Sequence, residues 1–504
     1  MKPAARLQEL GQSAWLDLIG RKLIHSGELA RMAKEDGIRG VTANPAIFEK
    51  AISETNEYDD QLARLVAEGK TALEIYETMA IDDVRAACDA LRPWFDKGED
   101  GFVSLEVSPY IARDTRATVA EAKRFWKAVD RPNLFIKIPA NHEGIPAIRE
   151  ATAAGISVNI TLIFSVKVYE QVIDAYLAGL EERVAKGEPV KQIHSVASFF
   201  VSRVDTSVDK LLEAKGVKDL QGKIANANAK EAYQQYLKSI ASPRWRALEA
   251  KGATRQRPLW ASTGTKNKAY SDVLYVEPLI GRDTVNTLPL ATLNAFNDHG
   301  KVAETVTQGV DEARAQLARL GELGIDLEKV CADLTDQGLD LFSKALDGLL
   351  GAIEKRSGKP LPEPALRSQG LAIFTPQDHA QVLRKVARTL GVQAESSPAS
   401  WISAHIALAD PGDKVALQSY LKPEQTQRLR ELHGALHKIA KAAPGVLDAS
   451  YVVQLAAADT PQARSEQQAM LRNGARVLRV VSEDGNPDKL LHVLQEANKQ
   501  LPKK

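Results

Sequence analysis

Between residues 13 and 279, short apolar runs alternate with longer stretches of helical periodicity, and this alternation restricts the fold more than any other feature of the 504-residue chain. The runs lie at 13–19 (SAWLDLI), 40–48 (GVTANPAIF), 101–109 (GFVSLEVSP) and 133–140 (NLFIKIPA). Four more follow at 157–165 (SVNITLIFS), 194–205 (HSVASFFVSRVD), 258–264 (PLWASTG) and 273–279 (VLYVEPL). Between them, 22–35, 51–97, 115–129, 145–154 and 167–186 carry helical patterning. A strand that pairs in parallel with its predecessor needs a crossover, which a helix supplies. Eight such units is the count that closes a (β/α)8 TIM barrel, the fold expected here. A doubly wound open sheet is the alternative, but no G-x-G-x-x-G follows the first run.

Helical pattern over 302–353 completes a barrel domain at 1–355. Residues 356–370 mix Gly, Pro and charge, the composition of a linker. Residues 371–504 read as a small C-terminal α/β domain. In it, Thr375 and Pro376 open a helix that Gly391 ends, and 415–420, 451–455 and 477–481 are strand candidates.

Within 133–140 one residue breaks the apolar rule: Lys137. An ammonium ion buried without a partner is costly enough to give up its proton, and a neutral amine can form a Schiff base with a carbonyl. The plainer reading is a lysine that snorkels to water from a strand end. The neighbouring runs weigh against it, because polar residues recur in each of the first six. Asp17 falls in the first, Thr42 and Asn44 in the second, Glu106 in the third, Asn159 and Thr161 in the fifth, and Ser198 with Arg203 in the sixth. In a parallel barrel both strand faces are buried and catalytic groups gather at strand C-terminal ends. Any one of these residues could be a satisfied core group. Together they supply an amine, two carboxylates and neutral hydrogen-bonding groups, a set suited to carbonyl chemistry through an imine.

Charge excludes other classes. With 66 Lys+Arg against 65 Asp+Glu, nothing favours nucleic acid or an anionic membrane as a partner. The N-terminal MKPAARLQEL has no apolar core of signal-peptide length, and no later run is long enough to span a bilayer, so a cytoplasmic location is expected. The two cysteines, Cys88 and Cys331, are far apart, which argues against a disulfide framework or a zinc cluster and for a metal-free protein in a reducing compartment.

GVTANPAIF, SLEVSP, NLFIKIPA, SVNITLIFS and TVNTLP together resemble, in order and spacing, the strand motifs of the transaldolase family. The resemblance covers about residues 1–355 and implies a class I aldolase-type barrel of the pentose phosphate pathway. Such an enzyme needs no cofactor and transfers a dihydroxyacetone unit between sugar phosphates. It implies that Lys137 is the Schiff-base lysine, that Asp17 handles the proton of the C4 hydroxyl, and that Glu106 works with Thr161 through a water. Asn44 and Asn159 match residues that hold the hydroxyls of the three-carbon unit, and Ser198 and Arg203 match the phosphate end, with Thr42 beside the substrate. Where the family often has a second phosphate-binding arginine this chain reads STGTKNK, and Lys266 stands in its place, without the bidentate geometry of a guanidinium.

Fructose 6-phosphate aldolases share this fold family, but Glu106 and Phe200 favour transfer over release. PGDKVALQSYL at Pro411 and GARVLRVV at Gly474 resemble part of the isomerase half of fused transaldolase/glucose-6-phosphate isomerase proteins, so a bifunctional enzyme is an alternative. The tail is read as a non-catalytic remnant that packs on the barrel or mediates association, leaving a homo-oligomer open. His433 and His437 have metal-ligand spacing, but Gly434 stands where a zinc protease has its glutamate, so they are read as surface histidines. A binding protein on an inactive barrel is the remaining class, disfavoured because every catalytic position is filled.

Overall fold

The eight barrel strands are short and closed in, each flanked on both faces by protein. In the computed structural model, which describes residues 1–358, 361, 451–456 and 476–481, they are β1 (Gln12–Leu16), β2 (Ile38–Val41), β3 (Phe102–Glu106), β4 (Leu134–Pro139), β5 (Val158–Ile163), β6 (Ser195–Phe200), β7 (Gln256–Ala261) and β8 (Thr284–Leu288). All pair in parallel in sequence order, and β1 pairs with β8 to close the ring. Of the barrel strand residues only Arg257 keeps partial exposure. Double burial explains why the runs read as nearly continuous apolar segments.

Three boundaries differ from expectation for physical reasons. The run at 40–48 is a strand only to Val41; Pro45, whose ring presets the helical φ, starts a helix at Pro45–Glu54. The stretch 51–97 breaks into helices that include Asp59–Ala67 and Ala72–Phe95, the latter opened by a Thr71–Glu74 capping box. The larger correction concerns 273–279. It is not the eighth strand but turns and a short 3-10 helix, Glu277–Leu279. Val273, Val276 and Ile280 are apolar because they pack on Ala14, Leu16 and Leu288 from outside the barrel wall. The eighth strand is TVNTL, part of the strand motif TVNTLP that the resemblance names, which its polar composition hides from a search for apolar runs.

The N-terminal end of the barrel is plugged. Trp15, Phe102 and Phe135 stack across its interior, with ring centroids 4.4 Å apart for Phe102–Phe135 and 6.0 Å for Trp15–Phe135. Below them the Trp15 indole N–H donates to Asp100 at 3.1 Å, and Asp100 pairs with Arg257 at 2.6 Å. A cavity of about 630 Å³ opens at this end, lined by Phe102, Phe135, Asp100, Arg257, His194 and the Arg255–Asp283 pair. Burial, aided by Arg257, pushes the His194 imidazole down to about 4, so it is neutral at physiological pH. With Asp100–Arg257 and Arg255–Asp283 paired, this end fits the stability role that the N-terminal face of such barrels generally has.

Gly40 is fixed by that plug. A Cβ added there would lie 2.3 Å from the Trp15 ring. Gly40→Ala is therefore expected to cost about 2–3 kcal/mol of stability through overpacking. A lowered urea midpoint at unchanged slope checks it, and an unchanged midpoint would contradict this account of the plug.

The chain divides into two units, Met1–Leu361 and Pro362–Lys504. The last helix of the first, Leu327–Ser357, takes the first two residues of the expected linker and ends at Gly358, in the left-handed region at φ 67°. In the second unit, β9 (Tyr451–Ala456) and β10 (Arg476–Val481) pair in parallel, at two of the expected strands. The expected helix at 375–391, the strand at 415–420, His433, His437, all of the isomerase-like segment at Pro411 and the first two residues of the one at Gly474 lie outside the described residues. Among the described residues no helix is long and apolar enough to cross a membrane.

Candidate active site

Register decides which side chains meet. Glu106 of β3 is level with Lys137 of β4, which is level with Asn159 of β5. Residues level across a sheet share a face, so all three point into the barrel. The Lys137 Nζ donates to Glu106 Oε2 at 3.0 Å and approaches the Ala43 carbonyl oxygen at 3.5 Å. Lys137 is only 5% exposed, so it does not snorkel to water. Its amine is not solitary either: Glu106 is the partner that the apolar run did not reveal. Burial holds the Glu106 carboxyl above its ordinary range; Lys137 works against this and the charge of Asp17 adds to it.

Asp17 lies one residue beyond β1, though its N–H continues the ladder by donating to Leu288 O at 2.9 Å. Its carboxylate accepts from Thr42 Oγ1 at 2.7 Å, and that hydroxyl is 2.7 Å from Thr287 Oγ1. Some Asp17 surface stays open at the strand ends, yet protein surrounds the carboxylate. The lost solvation raises its pKa, against the Thr42 hydrogen bond and the charges of Lys137 and Lys266. Two carboxylates shifted toward neutrality beside one amine form a proton-handling group.

Asn159 has its amide fixed from both sides. It donates to Ser104 Oγ at 3.0 Å and accepts from Ser198 Oγ at 2.7 Å. Thr161, two residues on, is fully buried, and its Oγ1 has no partner among the described residues. A buried polar atom without a partner is rare enough to mark a place for a polar ligand atom. Just beyond it the strand bulges, with a register shift between Ile160 and Ile163 and Leu162 at φ 58°.

Not every expected residue joins this cluster. Asn44 caps the helix Pro45–Glu54, its Oδ1 accepting from Ile47 N at 3.1 Å. Arg203 is not on β6 but in the first turn of the helix Ser202–Ala214. It is half-buried over the Phe200 ring at 5.8 Å, and burial lowers its pKa. No carboxylate pairs with it among the described residues. Lys266 is exposed on the β7–β8 loop and likewise lacks an ion pair among the described residues. Ser104 and Thr287 are not among the expected site residues; the alternation along β3 points to the first, and the strand motif TVNTLP, which the resemblance names, carries the second. No group of three or more His, Cys, Asp or Glu able to hold a metal occurs among the described residues.

Residues 14–353 match the family model described as Transaldolase/Fructose-6-phosphate aldolase. The chain belongs to this family. It is 49% identical over 352 residues to a transaldolase of Thiobacillus denitrificans (strain ATCC 25259 / T1), covering 69% of this chain and 98% of that protein. A transaldolase 1 of Streptomyces avermitilis is 51% identical over 354 residues, covering 69% of this chain and 94% of that protein. A transaldolase of Trichodesmium erythraeum (strain IMS101) is 45% identical over 371 residues, covering 71% and 98%. The transaldolase-family match starts within β1, contains β2 to β8 together with Asp17, Glu106 and Lys137, and ends before the expected linker.

Proposed function

We propose that this transaldolase-family enzyme moves a dihydroxyacetone unit between sugar phosphates through an imine on Lys137, converting sedoheptulose 7-phosphate and glyceraldehyde 3-phosphate to erythrose 4-phosphate and fructose 6-phosphate. The observation that carries this reading is the buried amine of Lys137, 3.0 Å from Glu106 and within the electrostatic reach of Asp17. Glu106 takes a proton from the Lys137 ammonium, and the freed amine attacks the donor's C2 carbonyl. The carbinolamine loses water with a proton from Glu106, while Thr161 Oγ1 offers the hydrogen bond that positions the departing oxygen. Asp17 then removes the C4 hydroxyl proton, the C3–C4 bond breaks, and an aldose phosphate leaves. The remaining three carbons stay bound as an enamine. An acceptor aldehyde binds and the steps reverse.

Asn159, held by Ser104 and Ser198, presents its amide to the sugar hydroxyls. Ser198 donates its proton to Asn159, so it orients that amide and leaves the phosphate to the unpaired cations Arg203 and Lys266. Asn44 and Thr42 complete the wall around the substrate, Asn44 through the amide nitrogen that its capping role does not use. Phosphorylated substrates and two buried free thiols support a cytoplasmic location.

Borohydride added with fructose 6-phosphate tests the reading. Peptide mapping is expected to find a reduced three-carbon adduct on Lys137. No adduct, or one on another lysine, would sink it.

A further inference from the structure

The helix Leu327–Ser357 packs against the helices Pro45–Glu54, Ala72–Phe95 and Ser202–Ala214. Its 31 residues make it roughly 46 Å long, enough to cross a barrel mouth. Its start is tied beyond β5, where Glu328 accepts from Ser165 Oγ at 2.6 Å and Cys331 Sγ donates to Phe164 O at 3.2 Å. Its middle is tied beyond β3, where Asp336 pairs with Arg113 at 2.8 Å and Asp347 accepts from the Tyr110 hydroxyl. Its end is tied beyond β2, where Arg356 donates to Ile52 O and pairs with Asp59. The helix therefore lies over the C-terminal ends of β2 to β5, the sector that holds Lys137.

Close approach is built in. At Gly338 an added Cβ would lie 2.7 Å from Leu162 Cδ2, at the bulge beyond Thr161. One turn on, Phe342 is 7% exposed, and its ring centroid lies 5.4 Å from Lys137 Nζ, within the range of a cation–π contact. The amine thus meets a carboxylate on one side and an aromatic ring on another.

Resting on the imine reading above, we propose that Phe342 is a positioning residue. Its ring closes over the covalent three-carbon enamine, keeps bulk water from its C3 carbon, and so favours transfer over release. In transfer, C3 bonds to the acceptor's aldehyde carbon and the aldehyde oxygen takes the proton that Asp17 holds. In release, a proton from water adds to C3 and the hydroxide adds to C2 of the resulting iminium. The C2–Nζ bond then breaks as the hydroxyl proton passes to nitrogen. One water is consumed and dihydroxyacetone leaves. Shielding a reactive intermediate from water is a recognised use of active-site closure.

The test reads free dihydroxyacetone formed per transfer event, with fructose 6-phosphate as donor and erythrose 4-phosphate as acceptor. Phe342→Ala is expected to raise that ratio about tenfold, Phe342→Leu about threefold, and Phe342→Tyr to leave it near the starting value. A folded Phe342→Ala whose transfer and release fall together, at constant ratio, would reduce the ring to a packing role and overturn the proposal. If that variant does not fold, an unchanged ratio in Phe342→Leu does the same. Absence of the Lys137 adduct in the unmodified enzyme removes both proposals; an adduct with an unchanged ratio removes this one alone.

Discussion

Lys137→Met is expected to lower transfer from fructose 6-phosphate to erythrose 4-phosphate by about 10,000-fold or more, because among the described residues no other lysine amine is buried to take over the covalent route. Among the described residues, the hydrogen bond to the Glu106 carboxylate comes from Lys137 and from no other charged side chain. Methionine nearly matches lysine in length and suits the apolar wall of β4. The substitution does leave Glu106 buried without its cation. Its pKa, already raised by burial, then loses the Lys137 contribution that lowers it, and the carboxyl takes up a proton rather than stay charged in the core. The fold is therefore expected to survive, and circular dichroism with urea unfolding would verify this beside the assay. Transfer within tenfold of the unmodified enzyme would exclude Lys137 as the nucleophile.

Asp17→Asn separates imine formation from carbon–carbon cleavage. The amide keeps the shape that accepts from Thr42, at 2.7 Å in the unmodified chain, but cannot take the C4 hydroxyl proton. Turnover is expected to fall by about 100- to 10,000-fold, the span of general acid–base contributions. The decisive readout is the mass of the borohydride-trapped adduct. The unmodified enzyme should carry a three-carbon unit on Lys137, whereas Asp17→Asn should carry the whole six-carbon sugar phosphate. A three-carbon adduct formed at the ordinary rate would mean that another group accepts that proton.

Most of the candidate site is legible in the sequence because the cluster uses what the fold makes conspicuous. A lysine inside NLFIKIPA or a glutamate at the end of a buried strand stands out against apolar neighbours, and both are where the alternation puts them. The helix at Thr115–Val129 is likewise bounded as expected, Asp114 capping its start by accepting from Ala117 N. The misplaced eighth strand has one cause. Burial was read as strand, yet VLYVEPL is buried by packing on the outside of β1 and β8, while TVNTL is buried by closure of the ring. Apolar composition cannot distinguish those two kinds of burial. Arg203 was placed on β6 because the run HSVASFFVSRVD continues without punctuation, whereas the chain turns at Val201 and Ser202 begins a helix. Phe342 lay beyond reach for another reason: it comes to Lys137 through a helix about two hundred residues later in sequence, and no local pattern encodes that meeting.

Ring closure has a consequence for how the chain comes into being. β1 finds one of its two neighbours only when β8 exists, and Gln12 and Thr284, which bond across that seam, are 272 residues apart. At a synthesis rate of about 5–20 residues per second, the first strand waits tens of seconds for its second partner. Throughout that interval one edge of β1 presents unpaired N–H and C=O groups beside an apolar face, the form of exposed edge that recruits other chains. Nascent copies on the same messenger are thus each other's nearest hazard, and a messenger densely loaded with ribosomes should yield more insoluble protein than a sparsely loaded one at the same elongation rate and the same total amount.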